Sequence, residues 1–160
     1  VSATKQTKHS RTGRPIRSVT HDGVVAIMRT ADFLRRQTAA VVEPSGITMQ
    51  QFNVLRILRG AAAAGVGGLP TLEVGERMVE QTPGVTRLLD RLEAKGLVRR
   101  QRCPKDRRQH LCWIMPEGLD LLASLDTPIL MSSQASMKGL TPVQQATLVR
   151  LLEAIRAARE

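Results

Sequence analysis

The sequence predicts a mainly α fold with one small β-hairpin wing, and three observations carry that expectation. Apolar residues make up 42% of the 160-residue chain but aromatics only 2%, so the core has to be aliphatic, which favours helices. Apolar residues recur at helical spacing in long stretches near both ends. Between them, a helical stripe is followed by a short strand, a basic turn and a returning strand, the order of a winged helix-turn-helix. The expected organisation is a disordered basic arm over 1–18 and a single domain over 19–158. Within that domain, 48–115 form the winged helix-turn-helix, while 19–43 and 116–158 supply N- and C-terminal helices for dimerisation.

The elements follow in order. Residues 1–18 are polar and basic with no apolar period, which predicts the arm. Val24, Ile27, Met28, Ala31, Leu34, Thr38 and Val41 then repeat at near-heptad spacing, a long amphipathic helix with Thr20 or Asp22 as its N-cap. Pro44-Ser45-Gly46 breaks it, and Thr48 caps a second helix through Phe52, Leu55 and Leu58. Gly65-Val66-Gly67-Gly68 reads as a flexible linker and lacks the lysine of a phosphate-binding loop. Leu72 to Met78 reads as a short helix weakened by Gly75, and a turn at Val79-Glu80-Gln81 leads onward.

Thr82-Pro83 has the form of an N-cap followed by proline at the first helical position. Val85, Leu88, Leu89 and Leu92 form one stripe; Thr86, Arg87, Asp90, Arg91 and Lys95 lie opposite, and Gly96 supplies a left-handed stop. A strand from Leu97, the turn Pro104-Lys105-Asp106-Arg107-Arg108 and a strand returning to Met115 complete the wing. Pro116-Glu117 opens a helix that Pro128 should kink or interrupt, and Thr141-Pro142 opens the last one.

The charge is uneven. Net +10 divides into +5 from Lys5, Lys8, Arg11, Arg14 and Arg17 of the arm and +6 from residues 87–108, where nine Lys and Arg face three Asp and Glu. The remainder carries −1. Excess charge concentrated beside a helix-turn-helix points to double-stranded DNA as partner rather than a membrane. No run of 18 apolar residues and no leader occur, and two cysteines are no disulfide framework, so a cytoplasmic protein is expected. Catalysis has no foothold: there is no Tyr and no Ser-His-Asp arrangement, and Glu73/Glu76 read as helix surface. No cofactor is expected. Cys103, His110 and Cys112 lack a Cys-x-x-Cys or a second histidine for a metal site. The two cysteines read as buried or incidental thiols, with an oxidant sensor at Cys103 as the alternative.

VTRLLDRLEAKGLVRR (Val85 to Arg100) and PKDRRQHLCWIMPEG (Pro104 to Gly118) at this spacing resemble the MarR (multiple antibiotic resistance regulator) family of bacterial winged-helix repressors. The resemblance implies a homodimer whose terminal helices form its base, a recognition helix in the major groove and a wing tip in the minor groove. It also implies a small aromatic or lipophilic effector that releases DNA. The family's wing Asp-x-Arg falls on Asp106 and Arg108, where the carboxylate is expected to hold the guanidinium extended. The chain departs from the family at Ile114-Met115-Pro116, where a capping threonine is missing, and at Gly75 and Gly84.

The expected DNA-binding residues are Gln81, Thr82, Thr86, Arg87 and Arg91 around the helix and Lys105, Asp106, Arg107 and Arg108 in the wing. Arg87 has three available roles: base contact, phosphate contact, or pairing with Asp90. Asp90 is expected to partner an arginine of the chain itself. Arg99, Arg100 and Arg102 alternate along a strand, so they cannot all face DNA, and at least one is expected in a structural ion pair. Rival readings are a sequence-indifferent architectural DNA-binding protein, a thiol-based redox regulator, and a winged-helix protein adaptor.

Overall fold

The computed structural model describes residues 18–79, 84–104, 106 and 108–158. Its elements are α1 (Val19–Val42), a 3-10 turn (Glu43–Ser45), α2 (Met49–Ala63), β1 (Leu69–Pro70), α3 (Thr71–Glu76), α4 (Val85–Ala94), β2 (Val98–Arg102), β3 (His110–Ile114), α5 (Pro116–Met137) and α6 (Pro142–Ala157). The mainly helical fold with a small β wing is thus present. The sheet has three strands, however, in the order β1-β3-β2 with both pairings antiparallel.

The chain divides into two compact units, one ending at Phe33 and one starting at Leu34. In the first unit, α1 starts one residue beyond Ser18, whose Oγ accepts the His21 N–H at 3.4 Å and whose carbonyl accepts the Asp22 N–H at 2.9 Å. Ser18 therefore occupies the capping position expected for Thr20 or Asp22, which lie inside the helix. Val19, Val24, Ile27, Met28 and Phe33 of this unit are exposed. The expected arm falls almost wholly on 1–17, outside the described residues.

The second unit holds the core. Phe52, Val54, Leu55 and Leu58 of α2 join Val74 of α3, Leu88, Leu89 and Leu92 of α4, Val98 of β2, Cys112 of β3, and Leu122 and Leu125 of α5. Fully burying such side chains contributes about 1.5–3 kcal/mol each. Helix α2 begins as its sequence predicts. Thr48 Oγ1 accepts the Gln51 N–H, and Gln51 Oε1 accepts the Thr48 N–H, a reciprocal capping box. Thr141 and Gln144 repeat the arrangement at α6.

Three expectations need correction. The glycine-rich stretch is not merely a linker, since it delivers Leu69 and Pro70 as strand β1, paired with Cys112 and Leu111. Gly68, at φ +143°, lies against Trp113, and a Cβ there would stand 2.5 Å from the indole. Only glycine lets the chain pass that close. Second, α4 begins at Val85 with Gly84 in the cap position at φ +108° and no side-chain cap, later than Thr82 and Pro83 predict. Burial of Leu88, Leu89 and Leu92 holds the helix in place of a cap. Third, of the two outcomes expected at Pro128, a kink or an interruption, the interruption does not occur: α5 is continuous from Pro116 to Met137. Ser124 and Pro128 are both exposed, so the carbonyl that loses its N–H partner stays within reach of water. The missing cap before α5 is as read from sequence: Met115 makes no side-chain cap bond.

Candidate nucleic-acid interface

Helices α3 and α4 make the helix-turn-helix, and the apolar period of α4 fixes which side faces out. Leu88, Leu89 and Leu92 are buried, which leaves Thr86, Arg87, Asp90, Arg91 and Lys95 exposed. Gly75 sits where α3 meets the start of α4; a Cβ there would lie 3.3 Å from Val85, tighter than an ordinary contact. Thr86, Arg87 and Arg91 thus share one exposed cationic face. Lys95 is turned away from it, donating from Nζ to the carbonyl of Gly46. Gln81 and Thr82 lie outside the described residues.

The acidic residues of α4 are engaged by the wing. Arg100 on β2 donates from Nε at 3.0 Å and Nη2 at 2.7 Å to Glu93 Oε2, and from Nη2 at 2.5 Å to Asp90 Oδ1. Its backbone N–H also donates to Glu93 Oε1 at 2.8 Å. The Arg100 bond holds the Glu93 carboxyl below its usual range, against the opposing effect of burial. For Arg100, burial alone would lower the guanidinium, yet the bonds to Glu93 and Asp90 leave it raised. One arginine thus locks the recognition helix to the wing and screens two carboxylates that would otherwise repel phosphate. The expected partner of Asp90 is Arg100, not Arg87, whose guanidinium is left exposed on α4.

The wing pairs Val98 with Ile114, Arg99 with Trp113, Arg100 with Cys112, Gln101 with Leu111 and Arg102 with His110. Asp106 organises its tip. Its Oδ1 accepts the backbone N–H of Arg108 at 3.0 Å, its Oδ2 accepts from Gln109 Nε2 at 3.1 Å, and its carbonyl accepts the Gln109 N–H at 3.0 Å. The carboxylate therefore grips the turn's backbone instead of extending the Arg108 guanidinium, because two residues of separation suit an Asx turn. Arg108 stands exposed beside it. Lys105 and Arg107 lie outside the described residues.

The thiols separate. Cys112 is 1% exposed, with Sγ 3.5 Å from Thr71 Oγ1, and burial pushes its pKa up, away from the reactive thiolate. Cys103 is half-buried where β2 runs into the tip turn, its N–H bonded to the Gln109 carbonyl at 2.9 Å. Among the described residues, no three His, Cys, Asp or Glu side chains come together as a metal site. Sequence reasoning missed Gln109, whose bonds close the turn, and the stacking of Arg99 on Trp113 at 4.9 Å. A glutamine three residues from an aspartate and an arginine facing tryptophan in register were the available signals.

Comparison with known proteins agrees with this geometry. Residues 47–110 match the MarR family. The transcriptional regulator TtmR of Methylorubrum extorquens is 29% identical over 157 residues, covering 98% of this chain and 77% of that protein. A MarR transcription factor from Planctomyces limnophilus is 30% identical, with 87% of this chain and 98% of that one aligned at a TM-score of 0.65. A mutant MarR from E. coli, solved in complex with operator DNA, is 26% identical, with 87% and 99% aligned at a TM-score of 0.72. The chain belongs to the MarR family of winged-helix, DNA-binding transcriptional regulators.

Proposed function

We propose that this chain is a repressor that occupies a pseudo-palindromic operator as a homodimer and blocks polymerase sterically. The observation that carries this reading is the exposed Thr86, Arg87 and Arg91 face of α4, backed by buried leucines and braced to the wing through Arg100. In the reading, α4 enters the major groove, with Gln81 and Thr82 at its approach. The wing tip, with Lys105, Asp106, Arg107 and Arg108, enters the adjacent minor groove, whose narrow stretches attract arginine. A mutant MarR from E. coli that is similar to this chain was solved in complex with operator DNA, which supports DNA as the partner.

Dimerisation is supported by apolar side chains left exposed on the C-terminal helices. Leu130 and Met131 on α5 and Val143, Val149, Leu151 and Ile155 on α6 are each more than half exposed, an arrangement that suits burial against a second copy. Two copies would present two recognition helices to two half-sites about one helical turn apart. Release by a small aromatic or lipophilic effector, favouring a different half-site spacing, completes the proposal by family likeness. No helix among the described residues is long and apolar enough to cross a membrane.

Alanine substitution tests the two probes separately. Arg87→Ala should weaken binding to the preferred duplex and relax its sequence preference, since a bidentate guanine contact discriminates by about 1–3 kcal/mol. Arg108→Ala should weaken binding with a shallower salt slope. Equal affinity of the wild type for promoter and random DNA would replace this reading with a sequence-indifferent coating protein.

A further inference from the structure

The three arginines of β2 are separated by the strand register, and of these one is left without an acidic or aromatic partner among the described residues. Arg99 faces Trp113 and stacks on its ring on the side of the sheet away from Arg100. Arg100 faces α4 and is consumed by Glu93 and Asp90. Arg102 lies two residues further along β2, so it shares the face of Arg100, about 6–7 Å nearer the wing tip. It is exposed, and no acidic side chain pairs with it among the described residues. Directly across the strand pair stands His110, also exposed, whose carbonyl accepts the Thr71 hydroxyl of α3 at 3.2 Å. The end of β3 is thereby tied to the helix-turn-helix, and the pair is held between the α4 clamp and the tip.

We propose that Arg102 and His110 form a phosphate-binding site for the stretch of DNA backbone that separates the groove read by α4 from the groove entered by the wing tip. The ligand is a phosphodiester monoanion. The Arg102 fork supplies paired N–H donors, and the His110 ring supplies one more from the opposite strand. The ridge between adjacent grooves is sugar-phosphate backbone, so the contact sets register and carries no base information. The site rests on the reading that α4 and the wing straddle duplex DNA, and it adds a contact beyond the recognition helix and tip.

The test measures salt dependence with the 160-residue chain and a fluorescein-labelled random-sequence duplex of about 40 base pairs, between about 50 and 200 mM salt. Random sequence is the right probe because a backbone contact does not depend on base identity. Arg102→Gln should reduce the slope of log affinity against log salt by about 0.9 per protomer and weaken binding several-fold at low salt. Arg102→Lys should restore the slope, while Arg99→Gln should leave it at the wild-type value. Thermal unfolding of Arg102→Gln should match the wild type, since the side chain is exposed and has no acidic partner among the described residues. A wild-type slope that Arg102→Gln leaves unchanged overturns the site alone. A wild type that fails to bind duplex at all overturns the proposed function and the site together.

Discussion

Replacing Arg100 by Ala isolates the brace between recognition helix and wing. The substitution removes three side-chain bonds, two to Glu93 and one to Asp90, while the backbone bond to Glu93 survives. The Arg100 side chain is 18% exposed, Glu93 38% and Asp90 53%, so solvent screens the two contacts unequally. Charge-assisted bonds sheltered from water contribute about 1.5–3 kcal/mol, whereas exposed pairs give about 0.2–1 kcal/mol. Weighting the Glu93 pair toward the first range and Asp90 toward the second gives a loss of about 2 kcal/mol.

Urea unfolding at fixed protein concentration measures that loss, and a double-mutant cycle with Glu93→Ala isolates the pair, with an expected coupling of about 1.5 kcal/mol. Acid adds a second signature. The Glu93 carboxyl is held low, chiefly by the Arg100 bond, so its contribution is present at neutral pH and lost as pH falls through the lowered value. The stability gap between wild type and Arg100→Ala should therefore begin to narrow as pH falls below the ordinary carboxylate range and close once pH has passed the lowered Glu93 value. A coupling under about 0.5 kcal/mol, or a gap that persists in acid, would refute the brace.

Other outcomes follow from packing and burial. Gly68→Ala places a Cβ against the Trp113 ring in a backbone region side chains avoid, so it should cost about 2 kcal/mol or more. Because Trp113 is the chain's single tryptophan, its emission spectrum reports the displacement directly. Gly118→Ala would bring a Cβ to 2.5 Å from the Leu97 carbonyl, and a loss of about 1–3 kcal/mol in urea unfolding is expected. In the native protein, a thiol reagent should modify Cys103 well before Cys112, which is 1% exposed; mass spectrometry of the labelled peptides distinguishes them.

What could be read from sequence was what neighbouring residues decide. Thr48, Thr141-Pro142 and the Val85-Leu88-Leu89-Leu92 stripe announce their helices because the caps and periods lie within a few residues. Strand β1 could not be read this way. Two residues have no period, and Leu69 and Pro70 become a strand only because Cys112 and Leu111 arrive beside them. Gly68 looked like a flexible linker because the indole that requires it lies 45 positions later in the chain.

The site was legible in part for the same reason. Alternation showed that Arg99, Arg100 and Arg102 divide between faces, but the location of α4 and Trp113 decided which arginine does what. The spacing of Asp106 and Arg108 showed a carboxylate near an arginine without showing that it binds the backbone N–H.

The central claim is that the Thr86, Arg87 and Arg91 face reads base sequence. Competition binding tests it most directly: a labelled duplex from upstream of the protein's own gene is displaced by unlabelled upstream or random duplex at one fixed, near-physiological salt concentration. The account predicts a preference of about 10³-fold or more for the upstream sequence, reduced by Arg87→Ala. Equal displacement by both duplexes would contradict it.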